Sequence, residues 1–174
     1  MKIGVVGAGA IGLTLAAGLA AKHDVVVLAR RGEVAAALER DGVTVVAPGI
    51  EIAPDGEVAP DREVRVALRA SADPHAFADR EAVLVAVKSH ATRAALAPLR
   101  GLLPPHALVV SVQNGLDNDL AARAALPGAR FVSGSTTQGA IALGPARVQP
   151  IGRGTTTFAR DARAAPTSDE LAAA

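Results

Sequence analysis

The 174-residue sequence contains no cysteine, tryptophan or tyrosine, and only three phenylalanines. The absence of cysteine excludes disulfide bonds, thiolate nucleophiles and cysteine-ligated metal sites, and it is compatible with a reducing compartment. The scarcity of aromatic rings argues against binding of single-stranded nucleic acid by base stacking. We therefore expect a cytoplasmic protein whose core is built from valine, leucine and isoleucine.

The sequence also lacks an excess of either charge, because 18 lysines and arginines are balanced by 17 acidic residues. A net charge of +1 gives no reason to expect a nucleic acid or an anionic membrane as the partner. The four histidines are scattered without metal-ligand spacing: His23, His75, His90 and His106. We expect no metal, and a small molecule as the ligand.

Half of the residues are apolar, and a chain of this length suffices for one ordinary domain with a buried core. We expect this domain to extend over residues 1–160, followed by a truncated linker or the start of a helix over 161–174. Within that last segment, Thr167 and Glu170 have the spacing of a capping box. The sequence then ends within about two helical turns, so we expect a truncated helix.

No charged residue occurs between Ile3 and Ala21, which is long enough for a transmembrane helix or a signal peptide. Four glycines between Gly4 and Gly12 argue against both, because a glycine inside a helix costs about 1 kcal/mol relative to alanine. A strand over 2–6, a tight turn and a helix over 10–21 explain the glycines better.

Further along the chain, apolar runs of strand length alternate with segments of helical composition. The predicted strands are 25–29, 82–87, 107–112 and 130–136, and the predicted helices are 33–40, 91–103 and 117–125. Turn signals within 43–68 predict a β-hairpin or small meander, and 140–150 is predicted to be a hairpin that turns at Gly144-Pro145. This order predicts a Rossmann-like α/β fold, with a doubly wound, mostly parallel sheet, a hairpin insertion and a C-terminal hairpin.

The first motif is Gly7-Ala8-Gly9-Ala10-Ile11-Gly12, between the first predicted strand and the first predicted helix. In a dinucleotide-binding turn, Gly7 makes the tight turn, Gly9 lets the backbone approach the pyrophosphate, and Gly12 allows close packing of helix and strand. The unpaired N–H groups and the dipole at the helix start favour a diphosphate anion. The motif and its context predict dinucleotide binding.

The second predicted strand ends in Ala29-Arg30-Arg31. Proteins that bind NAD or FAD usually have an acidic residue there for the ribose 2′-hydroxyl, so a flavoprotein is disfavoured. A guanidinium group suits a 2′-phosphate, because its planar fork donates charge-assisted hydrogen bonds. Arg30 and Arg31 therefore predict NADP(H), with two solvated surface arginines as the alternative.

Two further polar residues follow predicted strands and are expected at the same sheet edge. Lys88 would face the cofactor and a carboxylate substrate, with a surface lysine as the alternative. The side-chain amide of Asn114 can donate and accept hydrogen bonds at once, which suits a nicotinamide ribose or a substrate hydroxyl. The alternative is that Asn114 only forms an Asn-Gly turn.

Several segments, in order along the chain, resemble the ketopantoate reductases (2-dehydropantoate 2-reductases). They are residues 2–12, 28–30, 85–88, 112–116 and 134–140, of which 112–116 is the most distinctive. The resemblance implies NADPH contacts from residues 7–12, Arg30, Lys88, Asn114 and Ala140, with Lys88 and Asn114 also bordering the ketoacid. It implies hydride transfer from NADPH to the ketone of 2-dehydropantoate, which gives pantoate for pantothenate synthesis.

The resemblance also implies a second, helical domain that carries the general-acid lysine, and the present sequence stops before it. We therefore expect no catalytic residue within these 174 residues. A helical C-terminal domain or a partner chain would complete the site, and an oligomer is compatible with this. Two alternatives stay open: a free-standing NADP(H)-binding module without catalysis of its own, and a paralogue that reduces a different 2-ketoacid.

Overall fold

A computed structural model describes residues 1–47, 61–115, 117–152 and 154–159. The strands within these ranges are β1 (Lys2–Val6), β2 (Asp24–Leu28), β3 (Val43–Ala47), β4 (Arg62–Val66), β5 (Arg69–Ser71), β6 (Ala82–Val85), β7 (Leu108–Ser111), β8 (Arg130–Thr136), β9 (Gly139–Gly144), β10 (Arg147–Ile151) and β11 (Thr156–Phe158). The α-helices are α1 (Ala10–Leu19), α2 (Gly32–Asp41), α3 (Thr92–Leu96) and α4 (Asn118–Ala125). Short 3-10 turns cover Pro74–Phe77, Ser89–Ala91 and Ala97–Leu99.

The larger sheet has seven strands in the order β11-β8-β7-β6-β1-β2-β5. Neighbouring strands are parallel, except that β11 runs antiparallel to β8. In chain order, β2 and then β5 are added on one side of β1, and the chain then crosses to the other side of β1 to form β6. Open α/β sheets bind their ligands at such a switch point, outside the carboxyl ends of the strands. The predicted Rossmann-like, doubly wound fold is confirmed.

The side chains of the central strands alternate between two apolar layers, as the two-residue period of a strand requires. In β1, Ile3 and Val5 belong to the layer that contains α1 and the second sheet. Val6 belongs to the layer formed with Phe77, α3 and α4. Because both faces of the sheet are covered, its central strands are mostly apolar, and this is why they appear in the sequence as nearly continuous apolar runs.

Gly4 lies inside β1 because the ring of Phe77 packs directly over it. A Cβ atom built on Gly4 would be 2.2 Å from Phe77 Cε1, and Phe77 is fully buried. The 3-10 turn Pro74–Phe77 therefore packs closely against the backbone of the first strand. This glycine serves the core, unlike the glycines of the turn that follows β1.

The second sheet has the strand order β4-β3-β10-β9. The antiparallel pair of β3 and β4 is the predicted hairpin insertion, and β9 with β10 is the predicted C-terminal hairpin. Parallel pairing of β10 with β3 joins the two hairpins into one sheet, which the sequence did not predict. Helix α1 contacts β3, β9 and β10, so this sheet lies against the helix that begins at the glycine motif. Residues 48–60 of the insertion lie outside the described residues.

The long helix predicted over residues 91–103 is wrong. The α-helix is limited to α3, and 3-10 turns precede and follow it. Pro98 lies in the second of these turns, and proline lacks the N–H group and clashes with the preceding helical turn. Pro104-Pro105 is a stop signal that would allow a helix as far as residue 103, but Pro98 already ends the α-helical segment.

Two short strands were also missed. β4 ends at Val66, and Arg69–Ser71 then returns to the larger sheet as β5, parallel to β2. β11 adds an antiparallel edge strand beside β8. Both strands have three residues, too few for a recognisable pattern in the sequence.

The uncharged segment Ile3–Ala21 forms β1, the glycine turn and α1. Within the described ranges, no helix is both long enough and apolar enough to cross a membrane. The expected end of the domain at residue 160 and the capping-box helix near Thr167 lie outside the described residues, so both stay predictions.

A charged cluster lies at the amino ends of β1 and β2, opposite the edge expected to bind a ligand. The guanidinium of Arg80, only 3% exposed, lies 2.6 Å from Asp79 and 3.1 Å from Asp24. Lys2 Nζ donates to the other Asp79 oxygen at 2.7 Å. The hydrogen bonds from Lys2 and then from Arg80 lower the pKa of Asp79 from 3.8 to about 2. Asp79 therefore stabilises the fold in its ionised form.

We predict that Asp79→Asn lowers the free energy of unfolding at neutral pH. Because the folded pKa of Asp79 is below its unfolded value, the stabilisation is complete above about pH 4 and is lost as the pH falls towards about 2. The Asp79 side chain is 52% exposed, so this pH-dependent part should stay below about 1 kcal/mol. Urea unfolding at a series of pH values measures it, and Lys2→Met should reduce the same dependence. A parent–variant difference that is constant over this pH range would contradict the assignment.

Candidate dinucleotide-binding site

Neighbouring strands of the larger sheet end at the same level. Val6 in β1 is in register with Leu28 in β2 and with Val85 in β6, and Val85 is in register with Ser111 in β7. The residues that follow these strands therefore gather along one edge, on both sides of the switch point. The glycine motif, Arg30, Lys88 and Asn114 all follow these strand ends.

The glycine turn begins with Gly7, whose N–H group donates to Leu28 O at 3.1 Å. Its φ angle is +118°, in the region that side chains disfavour. A Cβ atom on Gly7 would also lie 2.9 Å from Val87 Cγ1. Backbone geometry and packing therefore both require glycine at this position.

Gly12 and Gly9 meet different constraints. A Cβ atom on Gly12 would lie 2.0 Å from Gly7 O, so no side chain fits between α1 and the turn. Gly9 is exposed, has ordinary extended angles (φ −86°, ψ 177°), and has no atom within 4 Å of a Cβ atom built on it. Nothing in the described part of the protein requires glycine at position 9. The open space beside it is where this motif accommodates a pyrophosphate.

Helix α1 begins at this open space. Gly9 is its N-cap residue and provides no side-chain cap, and the first turn, which includes Ala10 and Ile11, contains no acidic residue. The first N–H groups of a helix have no acceptors within the helix, and the helix dipole adds partial positive charge there. The arrangement therefore favours an anion at the start of α1.

Arg30 and Arg31 follow β2 but differ in their surroundings. Ala29 still pairs with the sheet edge, since its N–H group donates to Ser71 O at 2.9 Å. Arg31 Nε lies 3.5 Å from Glu33 Oε1 in an exposed ion pair. The exposed Arg30 side chain forms no hydrogen bond or ion pair with any residue of the described ranges. Arg30 is therefore the more available of the two cations.

The structure brings the loops after β6 and β7 into contact. Ser89, next to Lys88, donates through Oγ to Asn114 O at 3.3 Å. Asn118 Nδ2 also donates to Asn114 O, at 2.9 Å. Gly115 has a φ of +112°, a backbone conformation that glycine adopts readily, and the chain bends at Asn114 and Gly115. The exposed side chains of Lys88 and Asn114 stay free of hydrogen bonds to the described residues.

Gln113 is a site residue that the sequence analysis missed. Its side chain is 7% exposed, and Nε2 donates to Val87 O at 2.7 Å and to Thr92 Oγ1 at 2.8 Å. The amide thus joins the strand that leads to Lys88 with the strand that leads to Asn114. The signal was a polar residue placed directly after the apolar run 107–112, where a buried side chain must find hydrogen-bond partners.

Ala140 lies apart from the two loops. It belongs to β9 of the second sheet, beyond the carboxyl end of β8, and pairs with Pro150. Its strand contacts α1, so Ala140 is connected to the glycine motif through that helix. Among the described residues, no group of three or more His, Cys, Asp and Glu side chains is arranged to hold a metal ion.

Comparison with known proteins identifies relatives over nearly the whole chain. A family model described as ketopantoate reductase PanE/ApbA matches residues 3–162. The 2-dehydropantoate 2-reductase of Halobacterium salinarum is 32% identical over 162 residues, which are 92% of this chain and 49% of that protein. The chain spans about half the length of the relatives it matches.

Solved structures agree with this comparison. The crystal structure of a PanE/ApbA family ketopantoate reductase from Ralstonia eutropha JMP134 has a TM-score of 0.82 and 29% identity, over 99% of this chain and 54% of that one. The ternary structure of D-mandelate dehydrogenase with NADH and anilino(oxo)acetate also has a TM-score of 0.82, at 19% identity, over 99% of this chain and 53% of that one. The second likeness is one of fold alone.

We predict that Gly9→Val abolishes or weakens NADPH binding by more than about tenfold, because the new side chain would occupy the space proposed for the pyrophosphate. The fold should be unaffected, since position 9 has an ordinary backbone conformation and open surroundings. NADPH fluorescence titration measures the affinity, and far-UV circular dichroism measures the fold.

Gly18→Val is the matched control, because Gly18 lies in the same helix and also has no atom within 4 Å of a built Cβ atom. It should bind NADPH like the parent. If Gly9→Val also bound NADPH as tightly as the parent, the nucleotide would lie elsewhere.

Proposed function

Because this chain belongs to the ketopantoate reductase family, we propose that it binds NADPH across the switch point between β1 and β6. The family supports an NAD(P)-dependent oxidoreductase with a nicotinamide cofactor. The observation that carries the choice of NADPH is the exposed Arg30 after β2, whose side chain has no hydrogen bond or ion pair among the residues that the structure describes.

The adenine half of the cofactor is assigned to the glycine turn and Arg30. Backbone N–H groups of Ala8, Gly9, Ala10 and Ile11 lie where a pyrophosphate would meet the start of α1. Arg30 would donate to the 2′-phosphate, and charge-assisted hydrogen bonds of this kind are about twice as strong as neutral ones. Arg31 contributes less, because Glu33 already neutralises part of its charge.

The nicotinamide half is assigned to Lys88 and Asn114, with Ala140 as a further cofactor contact implied by the family resemblance. The Lys88 ammonium group would attract the carboxylate of a 2-ketoacid, and it lies on an exposed loop whose Ser89 donates a hydrogen bond to Asn114 O. The Asn114 amide can donate to one partner and accept from another, as the hydroxyls of a ribose or a substrate require. Both residues would therefore border cofactor and substrate together.

NADPH, when bound, supplies the hydride that converts the ketone of 2-dehydropantoate to the hydroxyl group of pantoate. The chain's own residues bind and orient the two reactants, which is a large part of the catalytic effect of any enzyme. The general acid that protonates the developing alkoxide is proposed to come from a helical domain or a partner chain. The reducing cytoplasm is the proposed location.

We predict that the chain binds NADPH about ten- to a hundredfold more tightly than NADH, and that Arg30→Ala removes most of this preference. The range follows from hydrogen bonds to charged groups, which contribute roughly 1.5 to 3 kcal/mol. The D-mandelate dehydrogenase of similar fold was solved with NADH, so the fold alone does not choose between the two dinucleotides. The residues at the end of β2 are the proposed determinant.

Isothermal titration calorimetry with both dinucleotides measures the preference. Arg31→Ala is the matched control, and it should lose less of the preference because Arg31 is paired with Glu33. Equal affinities of the parent for NADPH and NADH would contradict the assignment to Arg30.

We further predict that the 174 residues alone bind NADPH but do not reduce 2-dehydropantoate at an enzyme-like rate. A positioned general acid typically contributes about 10²- to 10⁴-fold, and the described site offers Lys88 only as a binding residue. The assay follows loss of NADPH absorbance with the chain alone, and then with a helical C-terminal domain of a relative added. Rapid turnover by the chain alone would show that its catalytic acid is present and would redirect attention to Lys88. Faster reduction of another 2-ketoacid in the second experiment would identify a paralogue.

A further inference from the structure

A buried amide connects the two loops assigned to the nicotinamide half of the cofactor, and we infer that Gln113 is the positioning residue that sets Lys88 relative to Asn114. Gln113 itself faces the interior and would touch neither cofactor nor substrate. The inference rests on the proposed function, because that function assigns both loops to the nicotinamide end. The inference adds that the buried side chain of Gln113 fixes the spacing of the two loops.

On the side of Lys88, Gln113 holds the backbone of the loop at two points. Its Nε2 group donates to the carbonyl oxygen of Val87, the residue directly before Lys88, at 2.7 Å. The same nitrogen donates to Thr92 Oγ1 at 2.8 Å, and Thr92 Oγ1 donates onward to Ser89 O at 2.9 Å. The carbonyl groups before and after Lys88 are therefore both anchored to one amide.

On the side of Asn114, the connection is covalent, because Gln113 is the preceding residue. Gln113 Oε1 lies 3.3 Å from Ser111 Oγ, which donates to it from the end of β7. Ser89 Oγ adds a second bridge, at 3.3 Å, to the carbonyl oxygen of Asn114. Movement of one loop relative to the other would therefore break these hydrogen bonds.

The hydrogen-bond pattern requires a primary amide. Gln113 donates twice through Nε2 and accepts once through Oε1, and both of its side-chain polar atoms have partners. A carboxylate of the same size cannot donate to Val87 O, and an apolar side chain can make none of the three bonds. A fully paired buried polar group of this kind makes a local geometry specific, because alternative arrangements leave polar atoms unpaired.

A positioning role predicts a loss confined to one end of the cofactor. Among the described residues, the Gln113 side chain forms no hydrogen bond with Arg30 or with the glycine turn, which are assigned to the adenine half. Displacement of the loops should therefore weaken the binding of NADP⁺. It should leave the binding of adenosine 2′,5′-bisphosphate unaffected, because this compound contains the adenine half without the nicotinamide. If Gln113 had a purely structural role, its replacement would weaken the binding of both ligands or of neither.

The test compares the affinities of the parent chain and of Gln113→Met for these two probes by calorimetry. NADP⁺ should bind about three- to tenfold more weakly to the variant, the size expected from the loss of one or two hydrogen bonds. Adenosine 2′,5′-bisphosphate should bind equally well to both. Gln113→Glu, which keeps the size and the acceptor, should behave like Gln113→Met.

Leu99→Ala is the matched control for reduced stability. Leu99 is fully buried in the layer that contains α3 and α4, and it forms none of the hydrogen bonds between the loops. Its replacement should lower the unfolding temperature while the ratio of the two affinities stays that of the parent. If Gln113→Met does not fold, Thr92→Val removes the hydroxyl that connects Gln113 to Ser89 O and should give the same selective loss.

The outcomes separate this inference from the function on which it rests. A parent chain that binds neither probe overturns the proposed function, and the positioning role with it. A parent that binds both probes, with variants that weaken both equally or neither, keeps the proposed function and overturns the role of Gln113. Selective weakening of NADP⁺ in the Gln113 or Thr92 variants, and not in Leu99→Ala, supports the inference.

Discussion

The candidate site depends on one close approach, between the first turn of α1 and the carbonyl oxygen of Gly7. Because a Cβ atom at position 12 would lie 2.0 Å from that oxygen, only glycine lets the helix begin so near the sheet. This contact sets where the first N–H groups of α1 lie relative to the ends of β1 and β2. The open space at Gly9 lies at the start of the helix placed in this way, and the pairing of β1 with β2 brings Arg30 to the same edge of the sheet.

Much of the fold could be predicted because strands buried on both faces leave a simple pattern in the sequence. The runs at 25–29 and 82–87 are apolar throughout, the run at 107–112 is interrupted only by Ser111, and each contains a central parallel strand. The parts that were wrong or missed depend on single residues or on distant pairing. Pro98 limited a helix that composition favoured, and the pairing of β10 with β3 joins segments about a hundred residues apart.

The candidate site was predictable in position more than in detail. Polar residues directly after parallel strands must gather at one edge, and this made Arg30, Lys88 and Asn114 the candidate ligand-binding residues. Whether a given side chain is free or engaged depends on neighbours that the sequence does not show. Arg31 pairs with Glu33, and Gln113 turns inward between two strands, although both lie next to residues that stay exposed.

The pairing of β10 with β3 has a consequence for the order in which the protein folds. The two strands meet in register at Thr44 and Val45 of β3 and at Arg147 and Val148 of β10. On the ribosome, β3 emerges long before β10 is synthesised, so the second sheet cannot be completed until almost the whole domain is available. Contacts between such distant segments carry a high loop-closure cost and slow folding. One side of α1 in the early β1-α1-β2 unit therefore stays uncovered until the hairpin of β9 and β10 has been synthesised and packs against it.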